Sequence, residues 1–147
     1  MDFTLNETHL MIQETARKFA QEVLAPSADE RDEKELFPTD AVRQMGELGF
    51  MGMMVSEKYG GAGLDSMSYV VAMEEISKVD ASAGVIMSVN NSLVTWGLES
   101  FGSEDQKQRY LIDLASGKTL GAFALSEPEA GSDATNHIFE VQLQFLF

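Results

Sequence analysis

The sequence predicts a mainly α fold: an N-terminal helical-bundle domain followed by the first strand of a β domain. Three observations predict it. Apolar residues recur at helical spacing in successive stretches up to Gly117, each bounded by capping or terminating residues. The alternation that marks a strand begins only at Gly121–Ser126 (Gly-Ala-Phe-Ala-Leu-Ser), and Glu127-Pro128 stops it. No internal repeat or low-complexity run interrupts this order.

The first helix starts at Asn6, an N-cap, and places Leu10, Ile12, Ala16, Phe19, Ala20, Val23 and Leu24 largely on one face. Pro26 should kink or end it, and the charged stretch Asp29–Glu35 reads as a solvated helical extension or connection. Thr39 is expected to cap a short helix through Val42, Met45 and Leu48, with Gly49 as its left-handed terminator. A loop follows. Its Tyr59-Gly60-Gly61-Ala62-Gly63-Leu64 lacks the glycine spacing and the preceding strand of a dinucleotide fingerprint.

Asp65 caps the next helix, whose Val70, Val71, Met73, Ile76 and Val79 are expected to face inward. A fourth helix, from about Ala81 to Ser100, is apolar through Val85, Ile86, Met87, Val89, Leu93, Val94, Trp96 and Leu98. Such a helix is either buried on most sides or forms a wall facing a ligand. Ser103 and Gln106, three apart, form a capping box that opens the last helix through Tyr110, Leu111 and Leu114, and Gly117 ends it.

Composition narrows the function classes. The chain has 147 residues, 44% of them apolar, enough for one domain with a core. A formal charge of −14 opposes binding to nucleic acid or an anionic membrane. There is no cysteine, and the two histidines, His9 and His137, stand at opposite ends, so a disulfide framework is excluded and a metal centre is not expected. The start Met1-Asp2-Phe3-Thr4 has neither signal- nor transit-peptide character, and no apolar run reaches membrane-spanning length. The expected location is the cytoplasm, or the mitochondrial matrix if a presequence has been removed.

Several residue sets admit two readings. Gly131-Ser132 after the strand offers a permissive backbone, amide N–H groups and a hydroxyl suited to an anion such as a pyrophosphate, or it is an ordinary strand exit. Ile86, Val89 and Asn90 by themselves read as core residues. Met45, Met51, Met53 and Met54 read as core filling. Glu74 and Glu75 are adjacent on a helix and point about 100° apart, so they cannot converge on one atom, and solvated or ion-paired roles are expected.

The stretch Ala124-Leu125-Ser126-Glu127-Pro128-Glu129-Ala130-Gly131-Ser132-Asp133 resembles the flavin-binding signature of the acyl-CoA dehydrogenases. Glu74-Glu75-Ile76-Ser77 and Gly84-Val85-Ile86-Met87-Ser88-Val89-Asn90-Asn91-Ser92-Leu93 resemble the short-chain, butyryl-CoA branch. Lys58–Asp65 and Phe101–Lys107 also match, in order, and the resemblance runs from Asp2 to about Asn136. It implies residues 1–118 as a helical domain, 119–136 as the start of a flavin-contacting β domain and 137–147 as a tail outside the family pattern. It implies FAD as cofactor, an acyl-CoA substrate, electron-transfer flavoprotein as partner and a homo-oligomer.

In that family a glutamate removes the α proton of an acyl-CoA thioester while hydride leaves the β carbon for flavin N5, which requires base and flavin on opposite sides of the acyl chain. The resemblance assigns flavin contacts to Phe123, Leu125 and Ser126, with the Ser126 hydroxyl at N5. It brings Gly131 and Ser132 to the pyrophosphate, Ser132 also to the thioester ligand, and places Ile86, Val89 and Asn90 at the far end of the acyl pocket, where bulk favours a short chain. No residue here matches the glutamate base, and the family's second flavin strand, Gly-x-Lys-x-Trp, is not found. The expectation is therefore a truncated or frameshifted N-terminal fragment, inactive alone and weak or empty in flavin binding. The alternative is a non-catalytic helical module that binds a partner through an unpaired strand and the apolar tail His137–Phe147.

Overall fold

The computed structural model describes residues 4–128 and 130–133 in full and the backbone of 142–146. Expectations that fall on His137, on 134–136 and on the side chains of the tail lie outside the described residues. The rest is a helical bundle with a two-stranded antiparallel sheet at its C-terminal end.

Helix α1 (Glu7–Phe19) begins with a reciprocal cap: Asn6 Oδ1 accepts the His9 N–H at 2.8 Å, and His9 Nδ1 accepts the Asn6 N–H at 3.3 Å. His9 Nε2 then reaches the carboxylate of Asp65 at 3.0 Å. Asp65 in turn caps α4 (Ser66–Ser77) by accepting the Ser68 N–H at 2.8 Å, so the starts of two packed helices are tied together. The buried face of α1 is His9, Ile12, Ala16 and Phe19; Leu10, expected inside, is 51% exposed because His9 takes the inward position on that turn.

Pro26 does not end the helical path. The chain passes through a π turn (Ala20–Leu24) and a 3-10 turn (Ala25–Ser27) into α2 (Ala28–Glu33). Pro26 sits at the start of the 3-10 turn, where its missing N–H leaves no gap in the ladder. In α3 (Thr39–Glu47) Thr39 is the first helical residue rather than the cap, a position that Pro38 holds without a side-chain bond. Gly49 has φ 78°, the left-handed conformation expected of it.

On α4 the inward set is Ser68, Val71, Ala72, Glu75 and Ile76, and Val70 points outward at 52% exposure. Glu75 tolerates burial because Arg17 donates to both its oxygens, at 3.1 and 3.2 Å, and Lys78 to one at 3.1 Å. Helix α5 (Ala81–Ser88), capped by Asp80, continues as a π segment (Val89–Thr95) into α6 (Trp96–Phe101). This long helix is not buried on most sides, since Val85, Leu93, Trp96 and Phe101 are exposed. The Ser103–Gln106 capping box opens α7 (Glu104–Gln106), which runs through a π turn (Lys107–Leu111) into α8 (Ile112–Ala115).

Two apolar clusters result. The larger joins α1, α3, α4 and α5 around Leu24, Met45, Met51, Ile76 and Met87; the smaller joins the loop after α3 to the π segment and α8 around Val55, Val94, Leu111 and Leu114. Met45, Met51 and Met53 are buried, as core filling requires.

Strand β1 (Leu120–Ala124) starts one residue before the expected Gly121 and ends two before Ser126. It pairs antiparallel with β2 (Gln142–Leu146), Leu120 opposite Leu146 and Ala124 opposite Gln142. The expectation of a tail strand with no partner is thereby corrected: the alternation of residues 142–146 finds its ladder within the chain.

Candidate functional site

The site is built where β1 meets the π segment. A π turn inserts an extra residue and brings consecutive side chains onto a surface that a regular helix would divide. Here it turns both Asn90 and Asn91 inward, each 1% exposed. Asn91 Oδ1 accepts the Met53 N–H at 2.9 Å, and its Nδ2 donates to Phe50 O at 2.8 Å and Met87 O at 2.9 Å. Asn90 Nδ2 donates to Met51 O at 2.7 Å and Leu114 O at 3.0 Å, and its Oδ1 accepts the Gly121 N–H at 3.3 Å. These two amides fasten the loop after α3, the end of α8 and the start of β1 to one helix.

Gly121 permits the strand to come this close. A Cβ there would lie 2.3 Å from Val94 Cγ1 and 2.8 Å from Cγ2, so any side chain would push β1 away. Phe123, two residues on, shares the face of Gly121 that turns toward the π segment. The chain leaves the ladder at Leu125 and Ser126 and then folds into a tight turn, with backbone bonds in both directions between Glu127 and Ala130 at 3.1 Å.

The edge so formed is open. Phe123, Leu125, Ser126, Gly131 and Ser132 are all exposed, and neither serine hydroxyl bonds another described residue. Among the described residues nothing lies within 4 Å of where a Gly131 Cβ would stand. Ile86 and Val89 are half-buried, against the larger and the smaller cluster respectively. Asn90 is fully buried, with both amide donors taken. The structure therefore brings Asn90 and β1 into contact, while Ile86 stands one turn earlier.

The carboxylates with shifted pKa values, Asp65, Glu75, Asp80 and Glu104, belong to the helical layer. The Ser68 N–H and the His9 ring hold the Asp65 carboxyl down at about 2, and Gln108, Lys58 and Tyr59 do the same for Glu104. Hydrogen bonding from Arg17 lowers the pKa of Glu75 against the opposing effect of burial. Burial raises that of Asp80, but the Ala83 N–H and Arg31 outweigh it. Glu74 and Glu75 share Lys78, so α4 carries ion pairs rather than a catalytic dyad. Among the described residues no three His, Asp or Glu gather as a metal site, and no helix is long and apolar enough to cross a membrane.

Residues 6–118 match the family model for the N-terminal domain of acyl-CoA dehydrogenases. The chain belongs to the acyl-CoA dehydrogenase family. It is 52% identical over 130 residues to the short-chain specific acyl-CoA dehydrogenase, mitochondrial, of Rattus norvegicus, covering 88% of this chain and 32% of that one. Its fold superposes on the butyryl-CoA dehydrogenase of Megasphaera elsdenii with a TM-score of 0.86 at 38% identity, covering 92% of this chain and 36% of that one. A Mycobacterium smegmatis glutaryl-CoA dehydrogenase in complex with FADH2 gives 0.84 at 31% identity, covering 90% and 34%. The chain spans about a third of the length of the acyl-CoA dehydrogenases it matches.

Sequence reasoning named Asn90 but missed Asn91 and the junction the pair builds. The available signal was an Asn-Asn dipeptide inside an apolar helix, where two buried amides demand backbone partners from neighbouring segments. The π turn that aims them both inward has no comparable signature.

Proposed function

We propose that this chain supplies the N-terminal helical layer and first flavin-contacting strand of a short-chain acyl-CoA dehydrogenase, which forms the α,β double bond of short acyl-CoA thioesters. The observation that carries the reading is the open edge from Phe123 to Ser132, held against the helical layer through Gly121 and Asn90. Bound FAD would accept the substrate hydride. On this reading the Ser126 hydroxyl and the Leu125 and Ser126 backbone hold the ring edge, with Phe123 beside it. The space around Gly131 lets its backbone and that of Ser132 approach a pyrophosphate, and Ser132 also meets the thioester. Ile86, Val89 and Asn90 bound the far end of the acyl pocket. No residue of this chain is assigned as base.

The domain boundaries proposed are 1–118, 119–136 and 137–147. The acyl-CoA substrate, electron-transfer flavoprotein as electron acceptor, a homo-oligomer, and a cytoplasmic location, or a mitochondrial-matrix one if a presequence has been removed, belong to the same proposal. The chain by itself is proposed to bind FAD weakly and to be inactive, because its sequence carries no second flavin strand and no matching glutamate base. The alternative is a non-catalytic helical module that binds a partner through the exposed C-terminal strand and tail; on that reading the partner would add to an outer edge of the β1–β2 pair.

The test is a chimera in which residues 6–133 replace the corresponding segment of the Megasphaera elsdenii enzyme. It should reduce a dye acceptor faster with butyryl-CoA than with octanoyl-CoA. A folded, flavin-bearing chimera that prefers the longer chain would contradict the pocket assignment.

A further inference from the structure

Near the start of α5 a groove of about 760 Å³ opens between the connection after α2 and the α4–α5 turn. Leu36, Phe37 and Val85 line it at 51%, 56% and 61% exposure, which puts three large apolar side chains at one opening. Scattered exposed apolar residues need no explanation, but a concave cluster of them does. The groove is also polarised. Among the described residues that line it, the one cation, Arg31, is neutralised by Asp80 at 2.5 Å and held by Leu24 O at 3.0 Å and by the Ser27 hydroxyl. Asp29, Asp32 and Glu35 also line it, and none of these three forms an ion pair among the described residues. The nearest lysine, Lys34, is bound to Glu30.

We propose that this groove docks an amphipathic, lysine- or arginine-bearing segment of a partner protein. Its apolar side chains would seat against Leu36, Phe37 and Val85, and its cations would stand over Asp29, Asp32 and Glu35. Charge selects this occupant over the others that an apolar groove admits. A second copy brings the same −14 charge and the same acidic rim, and an anionic lipid surface or nucleic acid is repelled for the same reason. The apolar lining excludes a purely ionic partner, which would leave Phe37 and Leu36 in water.

The experiment titrates the 147-residue chain with a fluorescein-labelled synthetic helix bearing Leu on one face and Lys on the other, followed by anisotropy. Two control peptides carry Glu in place of Lys, or Ser in place of Leu. The Leu/Lys peptide is expected to bind in the micromolar range and both controls at least tenfold more weakly. Phe37→Ser and Val85→Asp should each weaken binding about tenfold, the scale of losing one anchor. The triple variant Asp29→Asn, Asp32→Asn, Glu35→Gln alters only exposed side chains. It should weaken binding comparably and flatten the salt dependence. Equal binding of the Ser/Lys peptide, insensitivity to Phe37→Ser in a variant with native circular dichroism, or a concentration-dependent dimer abolished by Phe37→Ser would each overturn the proposal.

Discussion

The junction around Asn90 and Asn91 and the edge from Phe123 to Ser132 lie side by side and are built in opposite ways. In the junction both amides are buried and each makes three hydrogen bonds to backbone of other segments or the preceding turn. At the edge Phe123, Leu125, Ser126 and Ser132 are exposed, and the serine hydroxyls have no partner among the described residues. One region fixes position and the other presents chemistry. Substitutions in the first should therefore appear as lost stability, and substitutions in the second as lost ligand binding with stability retained.

Asn91→Leu should produce the largest effect. It strands the Met53 N–H and the Phe50 and Met87 carbonyls in the core, at a cost of about 3–5 kcal/mol, measured by urea unfolding. A loss under about 1 kcal/mol would break the contrast. Gly121→Val comes next, because the added side chain collides with Val94. It should cost about 1–3 kcal/mol, and native-state hydrogen exchange should show β1 released while the helical amides stay protected.

How far these regions were legible in the sequence follows from how local their causes are. The caps at Asn6, Asp65 and Ser103 and the terminators Gly49 and Gly117 could be placed, because a cap is decided within four residues. Val70 and Leu10 were placed on the wrong side, because helical spacing defines a stripe and not its edges. Inward Glu75 and His9 are offset by partners far along the chain, Arg17 and Asp65, and inward Ser68 lies beside its own cap. The edge residues were reached through the family resemblance, since Ser126 by itself is indistinguishable from a strand-end serine. The pairing of β1 with residues 142–146 depends on two segments separated by residues 125–141 meeting in register, which alternation alone does not specify.

A smaller effect sharpens the comparison from outside both regions. Glu75→Gln removes the Arg17 and Lys78 contacts and should cost about 1 kcal/mol at neutral pH, limited by the half-exposed Arg17. The pKa of Glu75 is lowered in the folded state, so this contribution is whole above about pH 5 and disappears as pH falls through the lowered value. Melting temperatures of the two proteins should converge as the solution is acidified; a gap that widens would reverse the sign. Ser126→Ala should change stability least, by within about 0.5 kcal/mol, because the hydroxyl is exposed and has no partner among the described residues.

The most direct test is the flavin content of the chimera carrying residues 6–133, compared with its Ser126→Ala form after gel filtration and absorbance of the yellow cofactor. The account predicts that the chimera retains FAD and that Ser126→Ala loses a large part of it at an unchanged unfolding midpoint. Full FAD retention by the variant, or FAD loss only in step with unfolding, would contradict the assignment of this edge to the flavin.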